Sequence, residues 1–361
     1  MIRFILFFLV CNFVFSQSYY VYVASESDDT VSLLKFENNE INELERITVG
    51  TYPTEIEGPH GITVDPSGKF WYLSLAHGNP FGKLVKYSTE SNEVVDETTL
   101  GLFPASMQVS TTTGFLYCVN FNLHGSMKPS TVSVVDPVTM TEITTITTGS
   151  MPHGSRISPD GLYQYSVAMM SGELFEVDAL GLEVSRTLDL ESKMMKKDGM
   201  KSMDGMKSMD GMKHSMVKPT WVIPHPMKNL AYVAGNGSDE VIEVDLDAWE
   251  VSDRFKTGKG PYNLEISPDG KLLIGTIKSE GKTAIWNLED KKLVGEIKNT
   301  TSVSHGIAIS SDSKYAFISV EGIGGEPGIV DVISLENYKL ISSVEVGKQA
   351  GGIAFWKQDN L

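Results

Sequence analysis

Short runs of alternating apolar and polar residues recur along this chain. Residues 131–136 read Thr-Val-Ser-Val-Val-Asp, and residues 240–245 read Glu-Val-Ile-Glu-Val-Asp. Alternation with a period of two is typical of a half-buried strand. Turn sequences such as Ser-Pro-Asp-Gly at 158–161 and 267–270 separate the runs, and their Pro and Gly suit tight turns. The pattern predicts an all-β chain of many short strands.

The strand-like runs are organised in a repeat of about 45 residues. Its units open at Pro59-His60-Gly61, Pro104-Ala105-Ser106, Pro152-His153-Gly154, Pro219-Thr220-Trp221, Pro261-Tyr262-Asn263, Ser304-His305-Gly306 and Ala350-Gly351-Gly352. Four short strands per unit correspond to one blade of a β-propeller. Only the spacing between Pro152 and Pro219 is much longer than the others, so an insertion is expected there.

The two ends of the chain are predicted to share one blade. The sequence after Gln17 begins with a second-strand pattern, whereas the segment after Gly351 supplies only a first strand. Added to six complete units, the shared blade gives seven, and its pairing would close the ring and protect the strand edges. We expect one seven-bladed β-propeller over residues 17–361, with the C-terminal first strand paired to the N-terminal strands.

The second and third strands of several units carry a common signature. The second strands are Tyr22-Val23-Ala24-Ser25, Tyr117-Cys118-Val119-Asn120 and Tyr232-Val233-Ala234-Gly235-Asn236, and the third strands are residues 131–136 and 240–245. In these segments the chain resembles the YVTN-repeat family of β-propellers over nearly its whole length. The resemblance implies the fold and no single function, since relatives range from exported proteins to binding modules and enzyme domains.

The first 16 residues have the layout of a signal peptide. Arg3 precedes the apolar run 4–10, and Val14-Phe15-Ser16 offers a cleavage site before Gln17. No other apolar run approaches the roughly 20 residues that span a bilayer. We expect an exported periplasmic or extracellular protein, with Cys118 as a buried, unpaired cysteine once Cys11 is removed.

The net charge of the chain limits the kinds of molecule that it can bind. A formal charge of −16 disfavours binding to nucleic acid, because a negatively charged protein is repelled by the phosphate backbone. We also expect a monomer.

Five of the seven histidines are predicted to lie at one end of the ring: His60, His153 and His305 just before first strands, and His77 and His124 in loops between second and third strands. Neutral imidazole is a common metal ligand, so these five are candidate ligands. Alternatively, His-Gly is only a turn preference.

The insertion at residues 191–217 is rich in methionine. Eight of the 16 methionines lie between Met194 and Met216, in repeats of Asp-Gly-Met-Lys-Ser-Met. Thioether sulfur is a soft ligand that suits Cu(I), and the segment resembles Met-rich stretches of exported copper-handling proteins. A neutral linker, a Met-rich adhesive surface and an oxidant trap are the alternatives. The candidate ligands here are Met200, Met203, Met206, Met209, Met212, His214 and Met216, with Met127, Met151, Met169 and Met170 expected near the same mouth.

The sequence thus predicts an exported copper-binding propeller that captures the metal or delivers it, for example to another exported metalloprotein. A binding protein is favoured over an enzyme, because the chain shows no Ser-His-Asp arrangement, nucleophile elbow, phosphate-binding glycine loop or His-Glu-x-x-His motif. Two other functions remain open. One is a protein- or glycan-binding scaffold, and the other is a lactonase-like hydrolase.

Overall fold

The protein is an all-β ring of seven four-stranded antiparallel sheets, seen in a computed structural model that describes residues 17–52, 54–191 and 214–360. Within these residues the one helical turn is a 3-10 turn at Lys278–Glu280, so no described helix is long enough to cross a bilayer. The predicted fold class and blade number are confirmed. The predicted signal peptide lies outside the described residues.

Each sheet forms one blade, whose strands we letter A to D from the axis outward. The strands are β1 (Gln17–Ser25), β2 (Thr30–Glu37) and β3 (Glu40–Thr48); β4 (Pro59–Val64), β5 (Phe70–Leu75), β6 (Lys83–Ser88) and β7 (Val94–Thr99); β8 (Pro104–Val109), β9 (Leu116–Asn120), β10 (Pro129–Asp136) and β11 (Thr141–Ser150); β12 (Pro152–Ile157), β13 (Tyr163–Ala168), β14 (Glu173–Asp178) and β15 (Glu183–Asp189).

The second half of the ring continues the same pattern. Its strands are β16 (Pro219–Pro224), β17 (Leu230–Gly235), β18 (Glu240–Asp245) and β19 (Glu250–Lys256); β20 (Pro261–Ile266), β21 (Leu272–Ile277), β22 (Lys282–Asn287) and β23 (Lys292–Lys298); β24 (Ser304–Ile309), β25 (Tyr315–Val320), β26 (Gly328–Ser334) and β27 (Lys339–Val346); and β28 (Ala350–Asn360). The seventh blade has the order β28-β1-β2-β3, so the two chain ends close the ring as predicted.

Burial follows the position of each strand in its blade. The B and C strands, such as β5 and β26, are buried almost throughout, whereas the outer strand β15 alternates between exposed and half-buried residues. The apolar cores lie between adjacent blades. At one such interface the Trp71 ring stacks on Tyr22 of the neighbouring blade with centroids 5.2 Å apart, a contact worth about 0.5–1.5 kcal/mol beyond area burial.

The glycines that follow the axial histidines have a packing role, not a turn role. A Cβ added to Gly306 would lie 2.6 Å from the carbonyl oxygen of Gly351, and one added to Gly154 would lie 2.5 Å from the Cα of Trp221. Both contacts are made to the A strand of the next blade. Glycine is therefore required because neighbouring innermost strands approach each other closely around the axis.

Candidate functional site

Three of the predicted histidines meet at the axis of the ring. His60, His153 and His305 are each the second residue of an A strand, whereas the sequence places them just before it. The ring centroid of His60 lies 5.9 Å from that of His153 and 6.1 Å from that of His305. The A strands thus bring residues separated by up to 245 positions to one end of the central channel.

A buried carboxylate joins two of the histidines. Glu26 follows strand β1 and accepts hydrogen bonds from His60 Nδ1 at 2.7 Å and from His77 Nε2 at 2.8 Å. Burial favours a higher pKa for Glu26, but the charges and hydrogen bonds of the two imidazoles outweigh it and hold the pKa well below its ordinary value. The hydrogen bond to Glu26 in turn raises the pKa of His77. This group therefore favours the ionised carboxylate.

His153 has both ring nitrogens occupied by protein groups. Its Nδ1 donates to the carbonyl oxygen of Thr220 at 3.0 Å, and its Nε2 accepts from the Tyr262 hydroxyl at 3.0 Å. Burial, reinforced by repulsion from His60, lowers the pKa of His153 to about 3. His153 is consequently a neutral, fully hydrogen-bonded imidazole and offers no free lone pair.

His305 differs from His153 because one of its nitrogens has no partner. The side chain is 6 % exposed, and Nδ1 makes no hydrogen bond within the described part of the chain. Nε2 lies 3.6 Å from a carboxylate oxygen of Glu321, which is itself bonded to Lys278 at 2.7 Å. Burial, followed by the charge of Lys278, keeps the pKa of His305 well below its ordinary value. The imidazole is neutral, and the carboxylate beside Nε2 favours the tautomer with a lone pair on Nδ1.

The remaining predicted histidine at this end packs against an aromatic ring. His124 is exposed in the loop between β9 and β10, and its ring lies 5.7 Å from that of Phe103. Phe103 also contacts the rings of His60 and His77. His124 thus lies beside the axial group through an apolar contact and shares no hydrogen bond with it.

Sequence reasoning missed Glu26, Tyr262, Asn263 and Lys278 as members of the axial group. Tyr262 and Asn263 occupy repeat positions equivalent to those of a histidine and its following glycine, so the repeat alignment could have identified them. Glu26 carried no such signal, since it reaches the histidines only through closure of the ring.

The described methionine candidates lie in a core, in a groove or at the boundary between the two. Met151 is 8 % exposed and belongs to a hydrophobic cluster between blades, against which Met169 and Met170 also pack. Met127 and Met170 line an open groove of about 410 Å³ together with His214. Met216 is exposed beside it, and its N–H donates to Glu191 Oε1 at 2.6 Å, which holds the two ends of the insertion together.

Residues 192–213 lie outside the described part of the chain. The candidates that fall there are Met200, Met203, Met206, Met209 and Met212. Within residues 17–52, 54–191 and 214–360, no group of three or more His, Cys, Asp and Glu side chains has an arrangement that could hold a metal ion.

The groove around Met127 lies at the same end of the propeller as the axial histidines. Met127 and Met170 lie in connections between B and C strands, and His214 precedes an A strand. In an antiparallel blade these connections lie at the end where the A strands begin. Glu191 and His214, which flank residues 192–213, therefore lie at the end of the ring that carries the histidines.

Comparisons with known proteins bear on the fold. No protein-family model matches the chain, and no curated protein matches it, so the likeness to the YVTN-repeat family stays a prediction. Among solved structures, a functionally unknown protein from Desulfotomaculum acetoxidans is 17 % identical with a TM-score of 0.69, covering 93 % of this chain and 98 % of that one. Hydrazine synthase from Kuenenia stuttgartiensis is 20 % identical with a TM-score of 0.60, covering 80 % of each chain. At these identities the likeness shows the β-propeller fold alone.

Proposed function

We propose that this protein is an exported copper-binding β-propeller that captures Cu(I) in the groove lined by Met127, Met170 and His214, called here the thioether groove. The observation that carries the proposal is that two thioethers and an imidazole from three separate segments line one groove. His214 is also the first described residue after the repeated Met-x-x-Met sequence. The repeat is therefore joined to the groove through His214 and offers the same type of ligand.

The chemistry of the groove favours a soft monovalent cation. Thioether sulfur and imidazole nitrogen bind Cu(I) without first losing a proton at neutral pH, whereas Ca²⁺ and Mg²⁺ prefer oxygen ligands. Glu173 and Asp189 also line the groove with one lysine, Lys128, so its carboxylates outnumber its ammonium group. The net charge of −16 acts in the same direction over the whole molecule, so a cation is attracted from a distance.

The test is an anaerobic Cu(I) titration against a competing chelator. We expect the protein to bind at least one equivalent and a Met127→Ile/Met170→Ile variant to bind at least 10-fold more weakly. The control is Met227→Ile, since Met227 is also exposed but lies in the turn between β16 and β17 at the opposite end of the ring. Equal affinities of the two variants would overturn the role of the groove.

A second variant tests the Met repeat itself. Deleting residues 194–212 leaves Glu191 and His214 in the chain, and the hydrogen bond between Met216 and Glu191 shows that the two ends lie close enough for a short linker. We expect the number of bound Cu(I) ions to fall while the groove still binds. Binding in neither the full chain nor this deletion variant would refute the copper function altogether.

A carbohydrate-binding scaffold is the second candidate, favoured by an exposed aromatic groove. Tyr52, Ile56 and Phe81 are all more than half exposed and line one groove of about 360 Å³ with Glu55. Exposed aromatic faces beside a carboxylate suit stacking on a sugar ring and hydrogen bonding to its hydroxyls. Loss of binding on a glycan array in a Tyr52→Ala/Phe81→Ala variant, with Cu(I) binding unchanged, would favour this function.

A further inference from the structure

The channel end beneath the axial histidines encloses a small polar cavity, called here the axial cavity. Its volume is about 40 Å³, room for about three water molecules. Three buried polar atoms of residues that line it have no hydrogen-bond partner within the described residues: His305 Nδ1, Asn263 Oδ1 and Trp221 Nε1. Each unpartnered buried polar group costs about 1–3 kcal/mol, so three around one cavity require a water molecule or a bound ion as partner.

Two of the histidines around the cavity share one arrangement. His60 donates Nδ1–H to Glu26, and His305 has Nε2 facing Glu321. In each ring the other nitrogen, Nε2 of His60 and Nδ1 of His305, makes no hydrogen bond to the described residues. A carboxylate on one imidazole nitrogen commonly orients a histidine whose other nitrogen binds a metal ion, and it makes that nitrogen a better ligand.

The distance between these two rings suits one shared ion. Metal–nitrogen bonds of about 2.0–2.1 Å place the centre of each bound imidazole about 3.2 Å from the ion, so two imidazoles on one ion have ring centres at most about 6.4 Å apart. The centroids of His60 and His305 are 6.1 Å apart with an interplanar angle of 85°. His153 is excluded as a ligand, since Thr220 and Tyr262 occupy both of its nitrogens.

We propose that the axial cavity binds one divalent ion of borderline softness, foremost Cu²⁺, through His60 Nε2 and His305 Nδ1, with Asn263 Oδ1 as a third ligand. The Trp221 indole N–H then donates to a water molecule on the ion, which gives each of the three unpartnered atoms a partner. Among divalent ions, Cu²⁺ binds nitrogen ligands most strongly. The site does not rest on the proposed Cu(I) function, since none of its ligands lines the thioether groove.

The charges around the cavity are compatible with a cation. Lys278 forms an ion pair with Glu321, and Arg156, which lines the cavity, forms one with Glu265 at 3.0 Å. Glu26 likewise faces His60 and His77. Among the described residues, each positive side chain at this end of the channel is therefore matched by a carboxylate, so no unbalanced protein cation repels a metal ion there.

The experiment is an aerobic Cu²⁺ titration followed by calorimetry and electron paramagnetic resonance. We expect one equivalent bound, with hyperfine splitting from two imidazole nitrogens. His305→Gln should weaken Cu²⁺ binding at least 100-fold and remove one nitrogen from the spectrum. The matched control, His124→Gln, changes an exposed histidine at the same end of the ring and should leave both unchanged.

A folding check and a comparison with the groove variant make the outcome of the Cu²⁺ titration unambiguous. Circular dichroism shows whether His305→Gln folds. If it does not, the electron paramagnetic resonance spectrum of the unaltered protein with Cu²⁺ decides, and a spectrum without splitting from two imidazole nitrogens overturns the site. The Met127→Ile/Met170→Ile variant separates the two proposals, because it should lose Cu(I) affinity while Cu²⁺ affinity stays unchanged. A folded His305→Gln variant with unaltered Cu²⁺ affinity refutes the axial site whatever happens at the groove.

Discussion

Replacing Glu26 with glutamine tests the charged group at the channel mouth most directly. The carboxylate is 8 % exposed and accepts two imidazole hydrogen bonds, at 2.7 and 2.8 Å. A glutamine side chain has one oxygen to accept with, and its amide group places a donor against the other imidazole N–H. We therefore expect Glu26→Gln to fold into the same ring with one hydrogen bond fewer.

The magnitude depends on which histidine loses its partner. The bond to His60 joins side chains that are both about one-tenth exposed, and a charge-assisted bond of that kind contributes about 1.5–3 kcal/mol. The His77 side chain is 31 % exposed, so its bond contributes less, about 0.5–1 kcal/mol. The free energy of unfolding at pH 5.5 should thus fall by about 2 kcal/mol.

The two pKa shifts determine the pH range in which the contacts of Glu26 stabilise the folded protein. The pKa of Glu26 is lowered from 4.5, so its contribution is present above pH 4.5 and is lost as the pH falls. The pKa of His77 is raised from 6.5, so its contribution is complete below pH 6.5 and is lost as the pH rises through the raised value. The difference between wild type and Glu26→Gln should be largest between pH 4.5 and 6.5.

The assay is urea unfolding followed by tryptophan fluorescence at pH 5.5 and pH 9. The control is Glu55→Gln, which removes an exposed carboxylate that makes no side-chain hydrogen bond to the described residues. Glu55→Gln should unfold at the wild-type urea concentration at both pH values. Equal midpoints for the two variants, or a difference that grows from pH 5.5 to pH 9, would refute the reasoning.

Three further predictions concern the scaffold. Gly154→Ala should lower the free energy of unfolding by at least about 1–3 kcal/mol, whereas Gly325→Ala, whose new Cβ meets open space, should change it by less than about 0.5 kcal/mol in urea unfolding. Trp71→Ala should lower the free energy of unfolding by about 3–5 kcal/mol, because the Trp71 side chain is fully buried. Phe81→Ala, at an exposed side chain, should change it little, and thermal unfolding measures both. Burial raises the pKa of the Cys118 thiol, so peptide mapping should find it alkylated by iodoacetamide only in the unfolded protein.

The sequence repeat predicted the fold because each blade is a local unit. Alternating strands and tight turns lie within about 45 residues of one another, so the pattern that forms a blade is visible in the chain itself. The same argument predicted closure, since β28 lacks partners within its own segment and β1 lacks an A strand. The repeat also showed that the insertion joins the ring at the end with the histidines.

The pattern was less informative about single side chains. Met151 and Met127 are both methionines beside blade connections, yet Met151 packs in a core and Met127 lies in an open groove. Likewise, the His-Gly pairs look like turn signals, but the glycines are needed where neighbouring A strands touch. Burial of one side chain depends on the neighbouring blade, which the local pattern does not contain.

By itself the sequence determined the number of blades, the strand order within each blade and the end of the ring at which the axial histidines lie. Only the tertiary structure decided which nitrogen atoms are free. Both nitrogens of His153 are bonded to Thr220 and Tyr262, while Nδ1 of His305, which lines the axial cavity, has no partner among the described residues. The physical reason is that a blade forms from contacts close in sequence, whereas the axial hydrogen bonds join residues from different blades.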